Sequence, residues 1–198
     1  MSKLIFKYGS MGSSKTAQLL MQRYNHQQLG LKVALIKPAI DTRVGRNTVY
    51  SRIGLTAEAE LVLEKDESVR EQLDWLAIQH AHSDFQYVFV DEAQFLSESQ
   101  VQELADMADD LEIYCYGLKT DFQGNFFPGS AALLRLAEDI QEVTGALCWC
   151  GRKATMNTRV NGRGQVIKVG EQVLIDNSEE IRYIGLCYRH WREGKAHA

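Results

Sequence analysis

The sequence predicts an α/β fold: a mostly parallel sheet with helices on both faces, joined to a small β-rich module. Three observations predict it. Strand-like apolar runs alternate with helical patterns through residues 1–143. A Gly/Ser-rich turn, "GSMGSSKT", links the first strand to the first helix. From residue 144 onward the texture changes to Gly, Asn and short β-type runs, with no good helix. The 198 residues suffice for a large domain, 1–143, and a small module, 144–198.

The elements follow in order. Residues 3–8 form a short apolar strand, and residues 15–29 a helix with Leu19, Leu20, Tyr24 and Leu29 at helical spacing. "KVALIKP" (32–38) is a buried-type strand stopped by Pro38. Residues 39–60 lack a clear period and read as loop with short strands. Val69, Leu73, Leu76 and Ala77 mark a helix over 66–82. "YVFVDEAQF" (87–95) is a strand running into polar residues, and 97–109 is a helix with Ser97 as its N-cap. "EIYCYGL" (112–118) is the fourth strand, and residues 130–139 are helical.

Composition narrows the function. Hydrophobic content of 45% and charged content of 24% suit a globular protein with a real core. A net charge of −4 argues against nucleic acid as the main partner. No apolar run approaches the roughly 18 residues that span a bilayer, so no membrane role is expected. The N-terminus starts directly on a strand pattern without a signal peptide, which makes the cytoplasm the expected compartment. There the four cysteines are metal ligands or free thiols rather than disulfides.

"GSMGSSKT" runs Gly9, Ser10, Met11, Gly12, Ser13, Ser14, Lys15, Thr16. It has the spacing of a phosphate-binding loop, in the strand-loop-helix context such a loop needs. Small residues let backbone N–H groups turn toward an anion, and the helix N-terminus adds its positive dipole end. Lys15 reaches for the β- and γ-phosphates, and the Thr16 hydroxyl is a ligand for Mg²⁺. Ser14 stands where such loops usually carry glycine, so the loop must tolerate a Cβ there.

An apolar strand ending in an acid is the usual partner of such a loop, and Asp91 fits as the carboxylate that holds Mg²⁺. Glu92 follows at once. At a strand end the chain can turn, so both acids can reach one site. A second carboxylate there is a base for an acceptor hydroxyl or a residue that positions water. Those readings separate a kinase from an ATPase or motor. Asp41 and Arg43, in "IDTR", follow a strand end on the edge where parallel sheets bind ligands. "YGLKTDFQGNFFPGS" (116–130) places three phenylalanines in a loop, as satellite core or as a stacking platform. Met11 packs or touches a substrate.

Cys148 and Cys150 form C-x-C, and Cys187 with His190 forms C-x-x-H. Three thiolates and an imidazole make a tetrahedral zinc shell, here all-protein and therefore structural. His197 is an alternative to His190, and Cys115, mid-strand, reads as core.

Taken together, "GSMGSSKT", "IDTR", "VDEAQF", "GLKTDFQGNFF", "CWCGRKATMNTR" and "CYRHW" occur in an order that resembles the zinc-containing thymidine kinases. The resemblance spans the chain from the phosphate loop to the last of these motifs. It implies a P-loop, RecA-like large domain and a small zinc domain whose long loop, the lasso, closes over the nucleoside. It implies transfer of the ATP γ-phosphate to the 5′-hydroxyl of thymidine with Mg²⁺, with Glu92 as base and Asp91, Glu92, Ala93 and Gln94 in the second nucleotide motif. Arg43 matches an arginine near the reacting phosphates. Met11, Phe95, Leu118, Phe122, Phe127 and Tyr183 match nucleoside-pocket positions, and Asn157 and residues 172–183 match the lasso. The family is usually tetrameric and inhibited by dTTP. Its animal members carry C-x-x-C where this chain has C-x-C.

Overall fold

The computed structural model describes residues 3–42, 45–79, 84–173 and 181–197. Strands β1 (Leu4–Tyr8), β2 (Val33–Pro38), β5 (Leu61–Leu63), β6 (Tyr87–Val90), β7 (Glu112–Gly117) and β8 (Asp139–Glu142) form one six-stranded sheet in the order β5-β2-β6-β7-β1-β8. Every neighbouring pair in it is parallel. One strand, β7, separates β1, which leads into the phosphate loop, from β6, which ends at Asp91. Strands β3 (Thr48–Tyr50) and β4 (Thr56–Glu58) make a separate antiparallel hairpin within the stretch expected to be loop and short strands.

Alternation along each strand sorts the core onto two faces. Ala34, Ile36, Val88 and Val90 face α2 (Val69–Gln79), α3 (Glu98–Met107) and α4 (Pro128–Leu136) through Leu73, Leu76, Val101, Leu104 and Leu133. Val33, Leu35 and Phe89 face α1 (Lys15–Gln28) through Leu19 and Leu20. Near-continuous apolar runs such as "VALI" are what a strand covered on both sides requires. Ser97 caps α3 as expected, in a full capping box with Gln100. Cys115 is buried in the core.

Two elements depart from expectation here. Helix α4 ends at Leu136 rather than continuing to 139, and Asp139–Glu142 is instead the edge strand beside β1. The polar run "DIQE" has no strand signature; the open edge of β1 recruits it. Residues 144–198 do contain a helix, α5 (Tyr188–Glu193), against the expectation of none. At six residues it is too short for a visible period, and Cys187 stands at its N-cap. Before it, β9 (Met156–Asn161) is flanked by β10 (Val166–Ile167) and β11 (Ile181–Leu186) in an antiparallel sheet. No helix among the described residues is long and apolar enough to cross a membrane.

Candidate active site

The phosphate loop leaves β1 at Gly9, whose N–H bonds the Gly117 carbonyl at 3.2 Å. A Cβ at Gly9 would lie 2.4 Å from Ser13 Oγ and 2.7 Å from the Val143 carbonyl, so only glycine fits. Ser14 takes the left-handed conformation, φ 66° and ψ 28°. The loop therefore keeps the glycine-type geometry and absorbs the strain of a side chain, rather than relaxing to accommodate it. The Lys15 amine arches back onto the Gly9 and Ser10 carbonyls at 3.1 and 3.0 Å. The Thr16 hydroxyl, one turn into the site, faces Asp91.

The chain reaches Asp91 through a last ladder bond, from its N–H to the Ile36 carbonyl at 3.0 Å. Glu92 is also left-handed, φ 49° and ψ 37°. That turn brings both acids onto one cavity wall. Burial, and then the neighbouring Glu92 charge, push the Asp91 carboxyl up to about 7. Gln94 donates to Glu92 through Nε2 and accepts from the Leu118 N–H through Oε1 at 2.9 Å. A Cβ on Gly117 would lie 2.8 Å from that oxygen, so this glycine makes room for the amide. Ala93 is buried beside it at the start of a 3-10 turn, Ala93–Phe95.

Asp41 lies on the same cavity, 3.6 Å from the Lys37 amine. Lys37 is 2% exposed and also donates to the Gly45 and Thr48 carbonyls at 3.0 and 2.7 Å. It thus ties Asp41 to the hairpin that follows. Arg43 lies outside the described residues, as do 174–180 of the segment matched to the lasso.

The cavity measures about 480 Å³, within the range of small-molecule sites. Met11, Phe95, Leu118, Phe122, Phe127, Asn157 and Tyr183 all line it, together with Gly12, Ser14, Lys15 and Thr16 of the loop. Phe95 and Phe127 meet edge to face, 5.7 Å between centroids. Phe126, the third phenylalanine of its loop, is 54% exposed and does not line the cavity. Asn157 is a bridge: its Oδ1 accepts from the Met11 N–H at 2.8 Å and its Nδ2 donates to the Thr120 carbonyl at 2.6 Å. Ser10 adds a second tie, donating to the Ala154 carbonyl at 2.9 Å. Sequence reasoning missed Tyr50, Ile53 and Asp121, which also line the cavity, as does Gln172 at the start of the segment matched to the lasso. The Gln172 amide donates to Asp121 at 3.0 Å across 51 residues, a pairing that no local pattern signals.

Away from the cavity, the ligand atoms of Cys148, Cys150, Cys187 and His190 lie within 4.8 Å of one another. Cys148 Sγ is 3.3 Å from His190 Nδ1, and Cys150 Sγ is 4.0 Å from Cys187 Sγ. Tetrahedral zinc with sulfur bonds of about 2.3 Å separates its ligands by roughly 3.8 Å, so the set fits that ion. A turn makes the tight C-x-C spacing workable: Cys148 N–H bonds the Arg152 carbonyl at 2.8 Å and Gly151 N–H the Cys148 carbonyl at 2.9 Å. Trp149 stacks on His190 at 4.2 Å and donates to the Lys195 carbonyl at 3.1 Å. His197 is not part of the cluster.

A Gly/Ser loop at the carboxyl end of β1, a buried acid facing its threonine, and one cavity lined by both and by aromatic side chains define an α/β protein of the P-loop class. The family model described as thymidine kinase matches residues 2–191. The thymidine kinase of Rhizobium meliloti (strain 1021) is 45% identical over 202 residues, covering 98% of this chain and 100% of that protein. The thymidine kinase of Ruegeria pomeroyi is 44% identical over 195 residues, covering 98% and 95%. That of Yersinia pestis is 40% identical, covering 98% and 96%. Among solved structures, the Pif1 helicase from Candida albicans aligns with a TM-score of 0.41 and 12% identity over 72% of this chain and 36% of that one. The chain belongs to the thymidine kinase family.

Proposed function

We propose that the chain transfers the γ-phosphoryl group of ATP to the 5′-hydroxyl of thymidine, giving ADP and dTMP. The observation that carries this reading is the shared cavity. Phosphate-loop residues, Glu92, and Phe95, Leu118, Phe122, Phe127 and Tyr183 all line it, so one cavity offers partners for both a phosphate chain and a flat apolar group.

Phosphoryl transfer asks mainly for positioning and charge neutralisation. Lys15 exchanges its two loop carbonyls for phosphate oxygens, and Asp41 and Arg43 belong near the same phosphates. Glu92 accepts the hydroxyl proton, held in orientation by Gln94. Thr16 and Asp91 would hold Mg²⁺; the buried, under-neutralised Asp91 carboxyl supports a cation there. When bound, Mg²⁺ supplies positive charge to the phosphate oxygens. The aromatic walls take the pyrimidine. We also assign one structural zinc to Cys148, Cys150, Cys187 and His190, within a unit spanning 144–198 that is tied to the kinase unit, 1–143, by Asn157 on Met11 and Thr120 and by Ser10 on Ala154. Family resemblance supports a homotetramer, feedback by dTTP and a cytoplasmic location.

The test is ADP release with and without thymidine. A kinase releases ADP only with the nucleoside. An ATPase releases it without, and a binding module releases none.

A further inference from the structure

Arg159 sits in the middle of β9 and is 1% exposed. Its partner directly across the ladder on β11 is Tyr183. Directly opposed residues share a face, so the two side chains meet. Arg159 Nε donates to the Tyr183 hydroxyl at 2.8 Å, and a terminal nitrogen donates to the Glu171 carbonyl at 2.9 Å. The guanidinium carbon lies 3.8 Å from the centroid of the Phe122 ring and 5.2 Å from that of Tyr183. Gly170, at φ +134°, leaves room beside it: a Cβ there would lie 3.2 Å from Arg159 Nη1.

Among the described residues no carboxylate pairs with this buried charge. Burying a cation without an anion is costly unless its donors and its flat faces find other partners. A guanidinium, weakly hydrated and planar, lies flat on aromatic faces while its fork of donors stays in use; an ammonium is a strongly hydrated point charge without that fork. Such an arrangement is not needed to hold three short strands together. What it holds is specific, because Phe122 and Tyr183 both line the cavity.

The hydrogen-bond direction has a further consequence. The Tyr183 oxygen already accepts from Arg159, so its own O–H remains to be donated. Among the described residues none accepts it. A phenol that accepts from a cation is also a stronger donor than a free one.

We propose that Arg159 is a positioning residue for the nucleoside. It props the Phe122 wall from behind, and it leaves the Tyr183 hydroxyl as a donor for an acceptor oxygen of the bound nucleoside. This rests on the thymidine kinase reading of the cavity.

The test is steady-state kinetics of the full-length, metal-replete chain and of Arg159→Lys, Tyr183→Phe and the double variant. Losing the planar fork should raise the thymidine KM by at least about tenfold while the ATP KM stays within about twofold. Losing one hydrogen bond in Tyr183→Phe should raise the thymidine KM roughly three- to tenfold. The double variant should be no worse than Arg159→Lys, since one removes the setting of the other. Effects that multiply, or a thymidine KM unchanged in either single variant, overturn the proposal. A purely structural role predicts a lower Tm and active fraction with an unchanged thymidine KM, which also overturns it. If Arg159→Lys fails to fold, Tyr183→Phe decides alone. A wild-type chain without thymidine-dependent ADP release overturns the activity and this assignment with it. A wild-type chain with that activity and unaltered variants overturns only Arg159.

Discussion

The Thr16 hydroxyl lies 3.1 and 3.2 Å from the two carboxylate oxygens of Asp91, bridging the first turn of α1 to the end of β6. Asp91 is 6% exposed and its carboxyl is pushed up to about 7, first by burial and then by Glu92. The folded protein therefore binds a proton at Asp91 more tightly than the unfolded chain. The sign follows from linkage: metal-free protein should lose stability as pH rises from about 4 toward about 7, because the native state must give up that proton. Denaturant midpoints across that range, in the presence of a chelator, check this. Asp91→Asn should flatten the profile and weaken the Mg²⁺ dependence of turnover.

Glu92 faces the cavity with Gln94 holding it. Glu92→Gln preserves size and the contact to Gln94 but removes basicity. Turnover should fall about 10²- to 10⁴-fold, the usual weight of a general base. ATP affinity should be nearly unchanged. Single-turnover rates at saturating ATP and thymidine test it; a variant that keeps most of its chemical step is not missing the base.

Cys187 stands at the N-cap position of α5 and its thiol joins the cluster, so Cys187→Ser removes a ligand from the metal shell at the start of that helix. Small metal-held units fold on their metal. The variant should lose zinc, loosen residues 145–195 and lose nucleoside binding, while the six-stranded sheet persists. Hydrogen exchange with elemental analysis reads all three outcomes. No zinc in wild-type protein purified without chelator would contradict the assignment.

Burial pushes the Cys115 thiol far up, and it should resist alkylation in the native chain. Chelation should expose Cys148, Cys150 and Cys187 to the reagent and leave Cys115 protected until the sheet unfolds. Mass spectrometry of alkylated protein counts them.

Ser14 carries a left-handed backbone, a strain of roughly 1–2 kcal/mol for a residue with a Cβ. Ser14→Gly removes it but loosens the unfolded chain, so the net gain should be up to about 1 kcal/mol in denaturant unfolding.

How far this was legible in the sequence depended on locality. The phosphate loop, the acidic strand end and the cysteine pairs are short motifs whose spacing carries their geometry. Ser97 announced its helix because a cap and its partner Gln100 lie three residues apart. Lys37 could not be read, because its partners Asp41, Gly45 and Thr48 meet it only when the loop folds over β2. The pairing of Gln172 with Asp121 is invisible for the same reason at greater distance. Strand β8 owes its state to the open edge of β1, not to its own residues. Helix α5 is short, and the cysteine beside it, read as a ligand, also ends the preceding strand segment.

The most direct measurement of the central claim follows the transferred group. ATP labelled at its γ-phosphate is incubated with the chain, Mg²⁺ and thymidine, and the products are separated. The shared cavity predicts label on the 5′-oxygen of thymidine, one per ADP formed, and little label as inorganic phosphate. Label released as inorganic phosphate at the same rate with or without thymidine would contradict it.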